Sequence, residues 1–183
     1  MADIKELEAQ VAALRAEVDT LKANAPQDKL SMVVMSGDMD KLLASFIIAT
    51  GAAAMYEKVV MFFTFWSIPA LKDPKKTVSK DAVGKMFEMM LPNGAAGTKL
   101  SKMNMCGMGK AMIKAIMKKQ HVASLPEMFK TAGELGIQIN ICEMSMKLMG
   151  FKREEMIDYP NMQVCGVATF LADATDSTVQ LFI

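Results

Sequence analysis

The chain reads as an α/β protein with a mainly parallel sheet, and three observations predict it. Short apolar runs that suit buried strands alternate with longer segments of helical periodicity. The first two such runs, around Val34 and Phe62, are separated by one helical segment, the order of a parallel pair with its crossover. Hydrophobic residues make up 52% of the 183 positions against 22% charged, which supports one domain with a substantial core plus an appendage.

The appendage comes first. Ile4, Leu7, Val11, Leu14, Val18 and Leu21 are spaced alternately by three and four, which makes a heptad seam. β-Branched residues at one seam position and Leu at the other favour a parallel two-stranded coil. In that register Glu17 of one copy faces Lys22 of the other. So short a helix is marginal alone, and two readings stay open: self-association, or an amphipathic helix lying on its own domain. Residues 1–25 are expected to be this coiled-coil helix. Asn24-Ala25-Pro26-Gln27-Asp28 breaks it and serves as a linker. Residues 29–183 are expected to be the α/β domain.

Within the domain, residues 30–35 form a buried strand that stops at Ser36-Gly37-Asp38, with Asp38 placed to cap a helix over 39–56. β-Branched and aromatic residues at 59–65 predict the second strand. Pro69 and Pro74 mark 66–77 as a loop. Helices are expected over 80–90 and 109–120, the second with Met112, Ile113, Ile116 and Met117 on one face and a solvated stripe of Lys110, Lys114 and Lys118 on the other. Ser124-Leu125-Pro126-Glu127 is a capping signature for a helix that ends at Gly136. The alternating Ile137-Gln138-Ile139-Asn140-Ile141 predicts a half-buried strand, followed by a helix over 143–150. A strand at 162–165, a helix to Asp176 and a closing strand over 178–183 complete the pattern.

Several classes are excluded. A net charge of +1 gives no global case for nucleic-acid binding. The apolar stretch 42–71 is interrupted by Glu57-Lys58, and its pieces are too short to span a bilayer, so a soluble protein is expected. The charged start of the chain has no apolar leader segment. Cys106, Cys142 and Cys165 include no C-x-x-C pair, which excludes a standard zinc site or a thioredoxin-type motif. An odd number of cysteines fits a reducing, cytoplasmic compartment. The 20 methionines suit adaptable core packing, or a deformable surface for a partner.

Cys142 is the position that points to chemistry. It ends a strand and opens a helix, where α/β proteins place their sites and where a helix N-terminus stabilises a thiolate. Glu143 beside it works in the opposite sense. Position alone leaves both readings open, a reactive thiol or a buried inert one.

The sequence also resembles a known family. Ser36-Gly37-Asp38 after the first strand, Phe62-Phe63-Thr64-Phe65-Trp66, and Met103-Asn104-Met105 with Gly107-Met108-Gly109 carry the likeness. Cys142-Glu143-Met144-Ser145-Met146 with Met149-Gly150, and Gly166-Val167-Ala168-Thr169, add to it. These pieces resemble the DsrE/DsrF-like sulfur-relay proteins, in particular the branch labelled peroxiredoxin-like, over residues 29–183. The resemblance implies a flavodoxin-like three-layer sandwich that forms oligomers. It implies a persulfide on a cysteine after a central strand, and Cys142 matches that position. It also implies TusA-like or rhodanese-like partners in sulfur transfer. The insertion between the second strand and the Cys142 strand departs from the smallest relay proteins and reads as a lid or a partner surface.

On this reading Cys142 is the persulfide acceptor, with the amides of Met144 and Ser145 holding the anion. The Ser145 hydroxyl either adds a hydrogen bond or caps its helix. Cys106 is a candidate second acceptor or resolving thiol, Cys165 is expected to be packed, and His121 is expected in a polar turn. Ser36-Gly37-Asp38 is expected to serve as turn and cap, since its aspartates oppose an anion. No cofactor or metal is expected. The function expected is a cytoplasmic sulfur carrier or sulfurtransferase. The alternatives are an oligomeric interaction module with a structural Cys142 and, on the family label alone, a thiol peroxidase.

Overall fold

The computed structural model describes residues 4–23, 25–80 and 82–183. Residues 1–3 of the expected N-terminal helix, Asn24 of the linker and Asp81 of the helix expected over 80–90 lie outside the described residues.

Among the described residues five strands form one sheet: β1 Gln27–Val34, β2 Lys58–Phe63, β3 Gln138–Cys142, β4 Met162–Cys165 and β5 Ser177–Phe182. Their spatial order is β4-β3-β2-β1-β5, and every neighbouring pair is parallel. The expected mainly parallel sheet is therefore parallel throughout, in an architecture consistent with the flavodoxin-like type. Successive strands step one way from β1 to β4, and the chain then returns across the sheet to β5. Crossovers between parallel strands are right-handed, so the return places its helix on the opposite face from the earlier ones.

Side chains alternate between the two faces of the sheet. Leu30, Met32, Val34, Val59, Met61, Phe63, Ile139 and Ile141 are buried on one face. There α2 (Met39–Ala52) and α5 (Leu125–Glu134) cover them. Phe46 of α2 packs against Phe63 and Phe129, with ring centroids 6.2 and 4.4 Å away. The other face carries Lys29, Ser31, Val60, Phe62, Asn140 and Cys142, and α7 (Val167–Thr175) lies across it. Phe170 of α7 stacks on Phe62 at 5.0 Å.

Several boundaries differ from the sequence reading. β1 begins at Gln27, inside the expected linker, because the Gln27 N–H donates to the Asp176 carbonyl at 2.7 Å and the strand pairs with β5. α2 ends at Ala52 rather than near Tyr56. Thr64 and Phe65 leave β2, and Phe65–Leu71 is a 3-10 helix rather than loop. A reciprocal cap between Thr64 and Ser67 starts it, and the Ser67 hydroxyl donates to the Val34 carbonyl at 2.6 Å. A Cβ on Gly37 would lie 2.0 Å from the Trp66 carbonyl oxygen, so this packing requires glycine there.

The insertion carries α3 (Ala82–Met90) and α4 (Met108–Lys119). Its base is fixed by a buried charge cluster. Glu155 lies 2.7 Å from Lys80 and 3.4 Å from Lys72, and Glu88 lies 2.9 Å from Lys72. Both lysines also sit over the Phe151 ring. Paired this way, the buried charges avoid the large cost of an isolated one. Gly109 is the buried residue of α4, and Met108, Met112 and Ile116 are exposed along one side of it. The N-terminal helix α1 (Ile4–Ala23) likewise exposes all six of its seam residues. Among the described residues no helix is long and apolar enough to cross a membrane.

Candidate functional site

Parallel strands bring all their C-terminal ends to one edge, where the loops can converge. Cys142 ends β3, between β2 and β4. It takes the N-cap position of the short helix α6 (Glu143–Leu148), with extended backbone at φ −64° and ψ 112°. The residue is 4% exposed. The Ser145 hydroxyl, buried in the first turn of α6, lies 2.9 Å from the Thr64 hydroxyl at the end of β2.

Burial pushes the Cys142 thiol up. Hydrogen bonding to its thiolate from the Ser145 hydroxyl and N–H, the Thr64 hydroxyl and the Met144 N–H outweighs that, and the thiol lies below its ordinary range. None of these donors closes a helix-capping bond of full geometry onto the resting side chain. Their effect falls on the ionised form. Glu143, expected to work against the thiolate, is exposed and paired with Lys147 at 2.6 Å.

Cys165 ends β4 as the register partner of Cys142. It is half-buried rather than fully packed. Burial raises its thiol, the charges of Asp173 and Cys142 raise it further, and the Thr169 hydroxyl opposes them. Asp173 belongs to a polar network on this face of the sheet. It pairs with Lys29 at 3.1 Å and accepts from the Asn140 amide at 3.4 Å. Gln163 in turn donates to Asn140 at 2.9 Å.

The other residues singled out in the sequence belong to other elements. Cys106 is exposed in the turn Met105–Gly107, with a left-handed φ of 53°, and is not among the groups that act on Cys142. His121 follows α4 in an exposed turn. Asp38 takes the N-cap position of α2 without a side-chain capping bond; it accepts from Ser36 at 3.0 Å and pairs with Lys41 at 3.2 Å. Asp40 instead accepts from Ser101. Sequence reasoning missed Thr64 and underrated Cys165. The available signal for both was position: each stands at the C-terminal end of a strand, on the edge where Cys142 lies.

The chain matches the DsrE/DsrF/DrsH-like family over residues 26–182. It belongs to that family. Among curated proteins, an uncharacterized protein, YrkE of Bacillus subtilis, is 44% identical over 156 residues, covering 85% of this chain and 96% of its own. The sulfur carrier protein DsrE2 of Allochromatium vinosum is 31% identical over 159 residues, covering 86% of this chain and 99% of its own. A solved structure, the ychN protein from E. coli, covers 85% of this chain and 98% of its own at TM-score 0.47 and 7% identity, a likeness too slight to bear on function.

Proposed function

We propose that this member of the family is a sulfur carrier that holds a persulfide on Cys142 and passes the outer sulfur to a partner thiol. The observation that carries the reading is the donor set around Cys142. The Thr64 hydroxyl after β2, together with the Ser145 hydroxyl and two amides in the first turn of α6, favours a thiolate at a buried position that would otherwise oppose it. The Allochromatium relative, named a sulfur carrier, supports the same reading.

The chemistry needs little else. The Cys142 thiolate attacks the outer sulfur of a donor persulfide, an S–S bond forms on Sγ, and the donor leaves as a thiolate. The acceptor thiolate then repeats the exchange on the sulfur now held by Cys142. Suitable partners are small TusA-like or rhodanese-like sulfur-transfer proteins in a reducing, cytoplasmic compartment. Self-association is part of the proposal. The exposed heptad seam of α1 and the Glu17–Lys22 complement support a parallel pair of helices between two copies. Analytical ultracentrifugation of the full chain checks this, with Leu14→Asp expected to shift it toward monomer.

Burial of Cys142 favours a second reading, an interaction module in which this thiol only packs. Intact-mass spectrometry after incubation with a polysulfide separates the two. The carrier reading expects one added sulfur on wild type and on Cys106→Ser, and none at that site in Cys142→Ser. A folded wild type that gains no sulfur on Cys142, while Cys142→Ser keeps full partner binding, establishes the module instead.

A further inference from the structure

Cys142 and Cys165 are the last residues of neighbouring parallel strands and are partners in register. Register partners share a face of the sheet, and neighbouring strands lie about 4.7–4.9 Å apart. A disulfide requires Cα atoms about 4.4–6.8 Å apart. Register partners on neighbouring strands fall in that Cα range, which places the two cysteines beside each other. Cys142 is buried while Cys165 is half-exposed. A Cβ on the next residue, Gly166, would meet nothing within 4 Å, so the ground beside Cys165 is open.

We propose that Cys165 is the resolving thiol of Cys142, a step that rests on the carrier reading above. In this step Cys165 Sγ attacks Cys142 Sγ of the loaded persulfide. The Sγ–Sγ bond forms, the bond from Cys142 Sγ to the outer sulfur breaks, and the outer sulfur leaves as hydrosulfide with the Cys165 proton. The Cys165 sulfur is oxidised and the outer sulfur is reduced. Two equivalents of an external thiol then return the disulfide to the dithiol by exchange.

The opposite tuning of the two thiols suits this division of labour. Cys142 is held toward the thiolate and loads sulfur. Cys165, raised by its surroundings, keeps its proton and attacks slowly. A loaded carrier therefore has time to meet its acceptor, and discharges its sulfur as sulfide when no acceptor arrives.

The test uses the full chain in a Cys106→Ser background, which removes the exposed thiol as a source of disulfides between copies. One arm oxidises the protein with diamide and maps the linkage by peptide mass spectrometry. A Cys142–Cys165 disulfide is expected, and two freely alkylated thiols in a folded protein overturn the pairing. The second arm loads polysulfide, removes the excess, and follows persulfide and free sulfide with time. With Cys165 present, one sulfide per loaded sulfur is expected as the disulfide appears. Cys165→Ser should keep its persulfide at least about tenfold longer, since a neighbouring thiol acts at high effective concentration. Equal lifetimes with and without Cys165 overturn the resolving role. Diamide closure with no sulfur loading at all overturns the carrier reading and leaves the dithiol standing.

Discussion

The two faces of the sheet are built on different principles. One is dry: Leu30, Met32, Val34, Met61, Phe63, Ile139 and Ile141 fill it beneath two packed helices. The other lies under α7 and mixes Val60 and Phe62 with Lys29, Ser31, Asn140 and Asp173. Both cysteines at strand ends point to the second face, since they share the alternation of Asn140 and Gln163. The dry face supplies stability. The mixed face gives up apolar burial and gains a polar setting in which thiols can be tuned. The division teaches what each face depends on: one on apolar packing, the other on buried polar groups that must find partners.

The largest test of that division is Phe63→Ala. It empties a fully buried aromatic position and is expected to cost about 3–5 kcal/mol, read as a lower urea midpoint at unchanged slope. Thiol reactivity per folded molecule should not change. On the mixed face, Asp173→Ala strands the buried Lys29 charge and is expected to cost about 2–4 kcal/mol. The double change Lys29→Met with Asp173→Leu should recover most of that loss, because no buried charge is left unpaired and Lys58, the other partner of Asp173, is exposed to solvent. Failure to recover would mean that the network specifies the position of α7 as well as balancing charge.

Ser145→Ala sharpens the comparison from the chemical side. It removes a donor to the Cys142 thiolate and leaves a Thr64 hydroxyl to find another partner, at an expected cost of about 1–2 kcal/mol. The pH profile of Cys142 alkylation should move to higher pH, since the removed hydrogen bonds favour the ionised form. The linkage has the same sign. A thiol held low in the folded chain adds stability above its unfolded value and loses it as pH falls through the folded value. Cys165, raised in the folded chain, contributes with the opposite sign over the same range, so the Cys142 share is read as the difference between variants: the stability gap between wild type and Ser145→Ala should widen as pH rises into the alkaline range. The smallest effect belongs to Gln163→Ala. This exposed residue of β4 should change stability by no more than about 0.5 kcal/mol, although it touches Asn140.

Much of this arrangement was legible in the chain. The alternation of Ile137, Ile139 and Ile141 placed β3, and the helical segment behind it placed Cys142 at a strand end. The capping signature at Ser124 and Glu127 was realised, with Glu127 accepting from the Ser124 N–H at 2.7 Å. The 3-10 helix Phe65–Leu71 was not legible. Its support is a long-range bond from Ser67 to Val34, and its Pro69 signals loop when read locally. The start of β1 at Gln27 was missed for a similar reason, because pairing with β5 sets it rather than local composition. The partnership of Cys142 with Cys165 depends on the register between β3 and β4, which neither segment encodes by itself.

That β1 lies between β2 and β5 has a consequence for how the chain is made. Synthesis proceeds from the N-terminus and domains tend to fold as they emerge. Strands β1 to β4 can pair as they appear, yet one side of the apolar β1 stays bare until β5 leaves the ribosome. A bare apolar edge is a template for pairing with another chain. Nascent chains stalled before Ser177 would carry that edge unprotected, which makes β5 the strand that closes the molecule against its own aggregation.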